Sequence, residues 1–203
     1  MRLTAKRSQN GFTIIEGIVA TTLVVALFAG TANVLVSMAK QYASTYISDM
    51  GETEAEVFRT AFDYAVKNCQ QFQIHLSTDS FNGAEAPQSA GNLLVCNMGK
   101  DATLTKSKYL IFWYQPDSPG SATGKLCYGE TDTAGSPSLP GVYATFHDAL
   151  FSPYEAAVPA NLFSMEVDPT TNKPIGLVQF SYSVNYEREA VSYNGISYPL
   201  SMR

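Results

Sequence analysis

Apolar residues run without a charge across positions 17–39, GIVATTLVVALFAGTANVLVSMA, until Lys40. A helix rising ~1.5 Å per residue makes this stretch roughly 35 Å long, enough to cross a hydrocarbon core of ~30 Å. Beyond it the pattern changes type rather than ending. Apolar residues recur three and four apart at Ala43, Tyr46, Ile47, Met50, Val57, Phe58, Ala61, Phe62, Ala65, Val66 and Cys69. Asp49, Glu52, Glu56, Arg59, Asp63 and Lys67 fall mainly on the other face. This spacing predicts that the helix continues as an amphipathic one across 40–74, with a bend where the stripe thins around Gly51 to Glu54. Taken from Phe12 to about Gln73 it would measure ~90 Å.

The rest of the chain, 75–203, reads as strands and turns. Positions 77–91 are rich in turn formers. Strands are expected at 93–98, 108–115, 125–130, 142–147, 162–167 and 177–187. The last has the clearest signal: Val178, Phe180, Tyr182, Val184 and Tyr186 alternate with Gln179, Ser181, Ser183, Asn185 and Glu187, a period of two with one buried face. Asn194-Gly195, flanked by Tyr193 and Ile196, predicts a tight hairpin turn, because type I′ turns need positive φ at both central residues. A short helix is expected near 154–158, between Pro153 and Pro159. The fold class is therefore α+β, one long N-terminal helix packed on a mostly antiparallel sheet. Tyr109 to Tyr114 is apolar on both faces; core packing is the default reading, and one face could instead meet a partner subunit.

Charge sharpens the picture. Three of the 13 basic residues, Arg2, Lys6 and Arg7, precede Gly11, whereas all 18 acidic residues follow it. The positive flank places the N-terminal end in the cytoplasm and the strand-rich part across the membrane. That acidic remainder carries no basic stripe, which argues against a nucleic-acid partner. The leader, MRLTAKRSQNG, lacks the apolar core and small-residue cleavage site of a secretory signal. Glu16 is the exception to the apolar run, a carboxylate at its edge that would cost on the order of 2.5–3.5 kcal/mol at bilayer depth and so calls for a partner.

These residues carry a resemblance. Lys6-Arg7, then Gly11, then Phe12-Thr13-Ile14-Ile15-Glu16 and an uninterrupted apolar helix resemble the class III signal of type IV pilins and of the pseudopilins of type II secretion systems. The resemblance covers Arg2 to about Ala39. It implies cleavage between Gly11 and Phe12 by a membrane prepilin peptidase, N-methylation of Phe12 by the same enzyme, and a role in filament assembly for Glu16. The implied partners are the peptidase, other pilin or pseudopilin subunits, and membrane lipid. The implied segments are a leader at 1–11, a membrane and filament-core helix at 12–39, its amphipathic continuation at 40–74 and an extracytoplasmic domain at 75–203. By length and strand content the chain most resembles a minor pseudopilin of the J type or a minor pilin. It departs from many pilins in having Asn33 where they carry a proline, which leaves Gly30 as the nearby weak point of the helix.

Elementary electrostatics agrees with the role implied for Glu16. Cleavage would create an amine at Phe12, one helical turn from the carboxylate, and the two charges neutralise each other best where the dielectric is low. The alternative is an ordinary anchor whose Glu16 sits at the membrane interface, holding a tethered extracytoplasmic binding domain that does not polymerise.

Other chemistry is sparse. There is no nucleophile elbow, zinc-protease motif or P-loop, so no enzymatic activity and no cofactor are expected. His147 beside Asp148 reads as a solvated strand end, and His75 stands alone. Asp117, Glu130, Asp132 and Asp168 do not form the spaced ligand run of a calcium loop. Cys69, Cys96 and Cys127 are an odd set without a CxxC. In an oxidising compartment the simplest arithmetic is one disulfide and one thiol. Cys96 and Cys127, both in expected strands, are the expected pair, with Cys69 packed on the preceding helix.

Overall fold

The computed structural model describes residues 13–76, 78, 81, 86–100, 105–118, 121, 123–147, 156–158, 160–167, 170, 174–185 and 190–200. The chain divides into two units, Met1–Tyr46 and Ile47–Arg203. One helix, α1 (Ile14–Asn68), contributes to both.

The start of α1 is set by a reciprocal cap. The Thr13 hydroxyl oxygen accepts the Glu16 N–H at 3.3 Å, and Glu16 Oε2 accepts both the Thr13 N–H and the Thr13 hydroxyl at 2.9 Å. Two amides that the helix itself leaves unbonded are thereby satisfied, an arrangement worth about 1 kcal/mol. The helix passes through Gly51 to Glu54 without a break. Its last turn carries Lys67, which is paired to Asp63 at 2.6 Å and complements the negative end of the helix dipole.

Among the described residues the second unit holds a ten-stranded antiparallel sheet packed on the buried face of α1 between Ala55 and Val66. The strands are β1 (Gln71–His75), β2 (Ala90–Gly91), β3 (Leu93–Lys100), β4 (Ser107–Pro116), β5 (Thr123–Thr133), β6 (Ala144–Phe146), β7 (Ala156–Ala157), β8 (Phe163–Val167), β9 (Pro174–Asn185) and β10 (Ala190–Ser197). Their order is β1-β3-β4-β5-β7-β9-β8-β2, with β6 on β5 and β10 on β9. A bridge from Ile74 to Gln88, with the Asn92 N–H donating to the Leu76 carbonyl at 3.1 Å, ties β1 to the segment holding β2 and so joins the two ends of that order. At this junction a Cβ on Gly91 would lie 2.0 Å from the His75 carbonyl oxygen, so only glycine lets the backbones approach.

The core lies between helix and sheet. Of the predicted stripe, Phe58, Phe62, Ala65, Val66 and Cys69 are buried and Ala55 joins them, whereas Tyr46 and Val57, expected on the same face, are exposed. Phe58 meets Phe112, Phe146, Phe180 and Tyr182 edge-on at centroid distances of 5.2–5.9 Å, and Phe62 stacks on Phe163 at 6.1 Å. On β9, Val178, Phe180, Tyr182 and Val184 face this core, as their alternation required. A second cluster, Phe81, Leu93, Val95, Ile111, Trp113 and Cys127, occupies the opposite face of the sheet.

Several expectations are corrected. The helix stops at Asn68 instead of reaching 74, because β3 captures the following backbone: the Gln70 N–H donates to the Asn97 carbonyl at 2.8 Å and β1 begins at Gln71. Ala156–Ala157, expected within a short helix, form β7 between β5 and β9; positions 154 and 155 lie outside the described residues. Asn194 and Gly195 are not a turn. They sit inside β10, opposite Ser181 and Phe180 of β9. The glycine serves close packing instead, since a Cβ on Gly195 would lie 2.4 Å from the Phe180 ring. The second apolar face of β4 is covered by the chain itself: Ile111 and Trp113 are buried in the cluster that includes Phe81.

Candidate functional site

The sequence points first to the head of α1. Gly11 and Phe12, the expected cleavage and methylation positions, lie outside the described residues. Glu16 is placed, and its carboxylate is held by Thr13 as described above. Behind it the helix surface is apolar all round. Ile14 is 83% exposed, and Ile15, Ile18, Leu23, Val25, Leu27, Phe28 and Leu35 are likewise exposed. Such a surface is stable where lipid or other apolar helices cover it.

The three threonines inside this stretch bond to the helix's own backbone. Thr21 donates to the Gly17 carbonyl at 2.5 Å, Thr22 to the Ile18 carbonyl, and Thr31 to the Leu27 carbonyl at 3.0 Å. Hydroxyls returned to the helix's own backbone leave little polarity to desolvate, as a hydrocarbon environment demands. Among the described residues one helix, α1, is long and apolar enough to cross a membrane. Beside Gly30 the surface is notched between Leu23, Ala26, Leu27 and Val34, and a Cβ on Gly30 would meet nothing within 4 Å.

A second group of functional side chains escaped the sequence reading. His147 is not a solvated strand end but is 0% exposed. Its backbone is in the left-handed region, φ 55°. That conformation aims the His147 N–H at Glu54 Oε2, 2.7 Å away, and Nδ1 lies 3.5 Å from the same oxygen. Nε2 is 3.1 Å from the Tyr182 hydroxyl, and the ring stacks on Tyr193 at 6.1 Å. Burial pushes the imidazole down to about 4. An acid, an imidazole and a hydroxyl in series resemble a catalytic relay, but Tyr182 is 1% exposed and the series ends in the core. Its chemistry is that of a polar lock between α1, β6 and β9. Asp148 lies outside the described residues. His75 is buried against Phe81, ring centroids 5.0 Å apart.

The acids near turns have local duties. Glu130 pairs with Lys108 at 2.9 Å and accepts the Tyr128 hydroxyl at 2.7 Å; that hydroxyl, then Lys108, hold its carboxyl below the usual range. Asp117 accepts the Thr123 hydroxyl at 3.0 Å. Asp168 lies outside the described residues. Among the described residues, no group of three His, Cys, Asp or Glu side chains is gathered for a metal.

The expected Cys96–Cys127 pairing is overturned. β4 lies between the two strands: Cys96 is opposite Leu110, and Cys127 is opposite Trp113. The side chains also face different clusters, Cys96 toward the helix and Cys127 away from it. Two strand spacings of ~4.8 Å exceed what a disulfide spans.

No family model, curated protein or solved structure matches this chain. The architecture is nevertheless the α+β, pilin-like one that the leader and helix implied: a single long N-terminal helix whose second part packs on a large antiparallel sheet. The functional argument therefore rests on this chain's own residues.

Proposed function

We propose that the protein is a non-enzymatic structural subunit, a minor pilin or pseudopilin, of a type IV pilus or a type II secretion pseudopilus. One observation carries the reading: a helix whose first part, from Gly17 to Ala39, is charge-free and exposes apolar side chains all round, headed by a basic leader and a single carboxylate. On this reading a prepilin peptidase cuts between Gly11 and Phe12 and methylates Phe12. The subunit waits as a single-pass inner-membrane protein, its leader cytoplasmic and its sheet domain extracytoplasmic. It then joins a filament through α1, exchanging lipid contacts for those of neighbouring subunits.

Glu16 gives that exchange its register. Before assembly its charge is held by Thr13. In the filament the amine of an incoming Phe12 offers a full opposite charge, and in an apolar surround only a closely matched position satisfies both groups.

The test is the intact mass and amino-terminal sequence of the protein from membranes of cells with an active peptidase. The expected terminus is an N-methylated Phe12. An intact Met1 terminus would overturn the reading and leave the alternative, a tethered binding domain that does not polymerise.

A further inference from the structure

Cys69 follows directly on α1, and the backbone delivers it to β3. The Gln70 N–H donates to the Asn97 carbonyl at 2.8 Å, and Phe72 pairs with Cys96 across β1 and β3. Cys69 and Cys96 are both 0% exposed within one apolar cluster, and each thiol shifts the titration of the other, Cys69 downward and Cys96 upward. Cys69 Sγ also lies 3.1 Å from the Val66 carbonyl oxygen. Cys127 is on the far face of the sheet.

We propose that Cys69 and Cys96 are an oxidisable pair that closes as a disulfide when the domain folds in an oxidising compartment, covalently joining the exit of α1 to β3 and leaving Cys127 a thiol. The extracytoplasmic placement proposed above supplies the compartment; the choice of partners comes from the fold alone. Because both sulfurs are sealed from solvent in the finished core, the bond forms while the chain is still folding.

The oxidant is a protein carrying an exchangeable disulfide. Cys96 displaces one sulfur of that disulfide and becomes a mixed disulfide. The Cys69 thiolate then attacks the Cys96 sulfur, and the oxidant departs as a dithiol. Two S–H bonds are lost and one S–S bond forms, with both protons and both electrons passing to the oxidant.

The bond would act on the unfolded chain by closing the loop between helix and strand. It would also reinforce the joint where α1 leaves the sheet, which otherwise depends on packing and hydrogen bonds.

The test uses the full-length protein. One sample is taken from membranes with thiols blocked at lysis, and a second is denatured, reduced and refolded in detergent with oxidised glutathione. Each is cut after Glu85 and after lysine, which puts Cys69, Cys96 and Cys127 on three separate peptides, and mapped by mass spectrometry. Both samples are expected to contain the Cys69–Cys96 link, with Cys127 alkylated only after denaturation, and Cys127→Ala is expected to keep the link. Protein refolded under reductant should melt about 10 °C lower. A link to Cys127, or three unlinked thiols after oxidative refolding, would overturn the proposal. Reduced Cys69 and Cys96 in cells, together with a link formed on refolding, would overturn the extracytoplasmic placement and leave the pair standing.

Discussion

Glu54 on α1 and His147 at the end of β6 meet although 93 positions separate them, the carboxylate accepting the histidine N–H at 2.7 Å. The contact spans the helix and the sheet of one unit, and it places a neutral imidazole where water cannot reach it. With Tyr182 on its other side, His147 converts folding of the sheet around the helix into a proton-sensitive event.

The sign of that sensitivity follows from the depressed folded value, about 4, against an ordinary 6.5. Above pH 6.5 the imidazole is neutral in both states and costs nothing. Between pH 6.5 and 4 the unfolded chain takes up a proton that the folded one refuses, so stability falls by about 3 kcal/mol and levels off below that. Denaturant unfolding of the sheet domain in the detergent-solubilised protein should show this slope. His147→Asn keeps a residue tolerant of φ 55° and should flatten the slope over that window. An unchanged slope would assign the pH dependence to other groups.

Phe58 is the residue on which the aromatic core converges, in contact with four rings from β4, β6 and β9. Phe58→Ala should destabilise the sheet domain by about 3–5 kcal/mol, lowering its melting temperature by roughly 10 °C. Val57, one position along and exposed, supplies the contrast: Val57→Ala should change stability by less than about 0.5 kcal/mol. Thermal melts followed by near-ultraviolet circular dichroism compare the two.

What the sequence disclosed depends on range. Patterns local to one element were legible: the charge-free stretch before Lys40, the stripe of Phe58, Phe62, Ala65, Val66 and Cys69 (though not Val57, which is exposed), and the alternation of Val178, Phe180, Tyr182 and Val184. Two-residue strands such as Ala90–Gly91 and Ala156–Ala157 carry no period and could not be read. Residues 71–74 of β1 read as helix because their amides change partner only when β3 is present. Partnerships across the fold were hidden for the same reason. Glu54 with His147 and Cys69 with Cys96 depend on strand order, which no local spacing encodes. Of the three residues expected to serve cleavage, methylation and assembly, Glu16 falls among the described residues and Gly11 and Phe12 fall outside them.

Gly195 offers a test of a corrected reading. Its role in β10 is to leave room for the Phe180 ring rather than to supply a positive φ. Gly195→Ala should therefore cost about 1–3 kcal/mol through crowding of that ring. The cost should shrink when Phe180→Leu is added, giving a non-additive double-mutant cycle. Additive effects would return the glycine to a purely backbone role.

Glu16 separates filament assembly from simple anchoring. Glu16→Ala removes the acceptor that Thr13 now uses, weakening the helix start by about 1 kcal/mol, a loss that leaves the apolar span able to insert. Thr13→Val damages the same cap from the other side and keeps the carboxylate. If capping were the whole role of Glu16, the two variants would fail alike. If the carboxylate instead neutralises the Phe12 amine of a neighbour, Glu16→Ala should be processed normally yet recovered almost wholly in the membrane fraction, while Thr13→Val should still reach sheared filaments. Gly11→Ser fixes the preceding step, since it should accumulate as uncut precursor. Fractionation with immunoblotting of the three variants reads all of these outcomes, and normal filament recovery of Glu16→Ala would exclude the charge-pairing role.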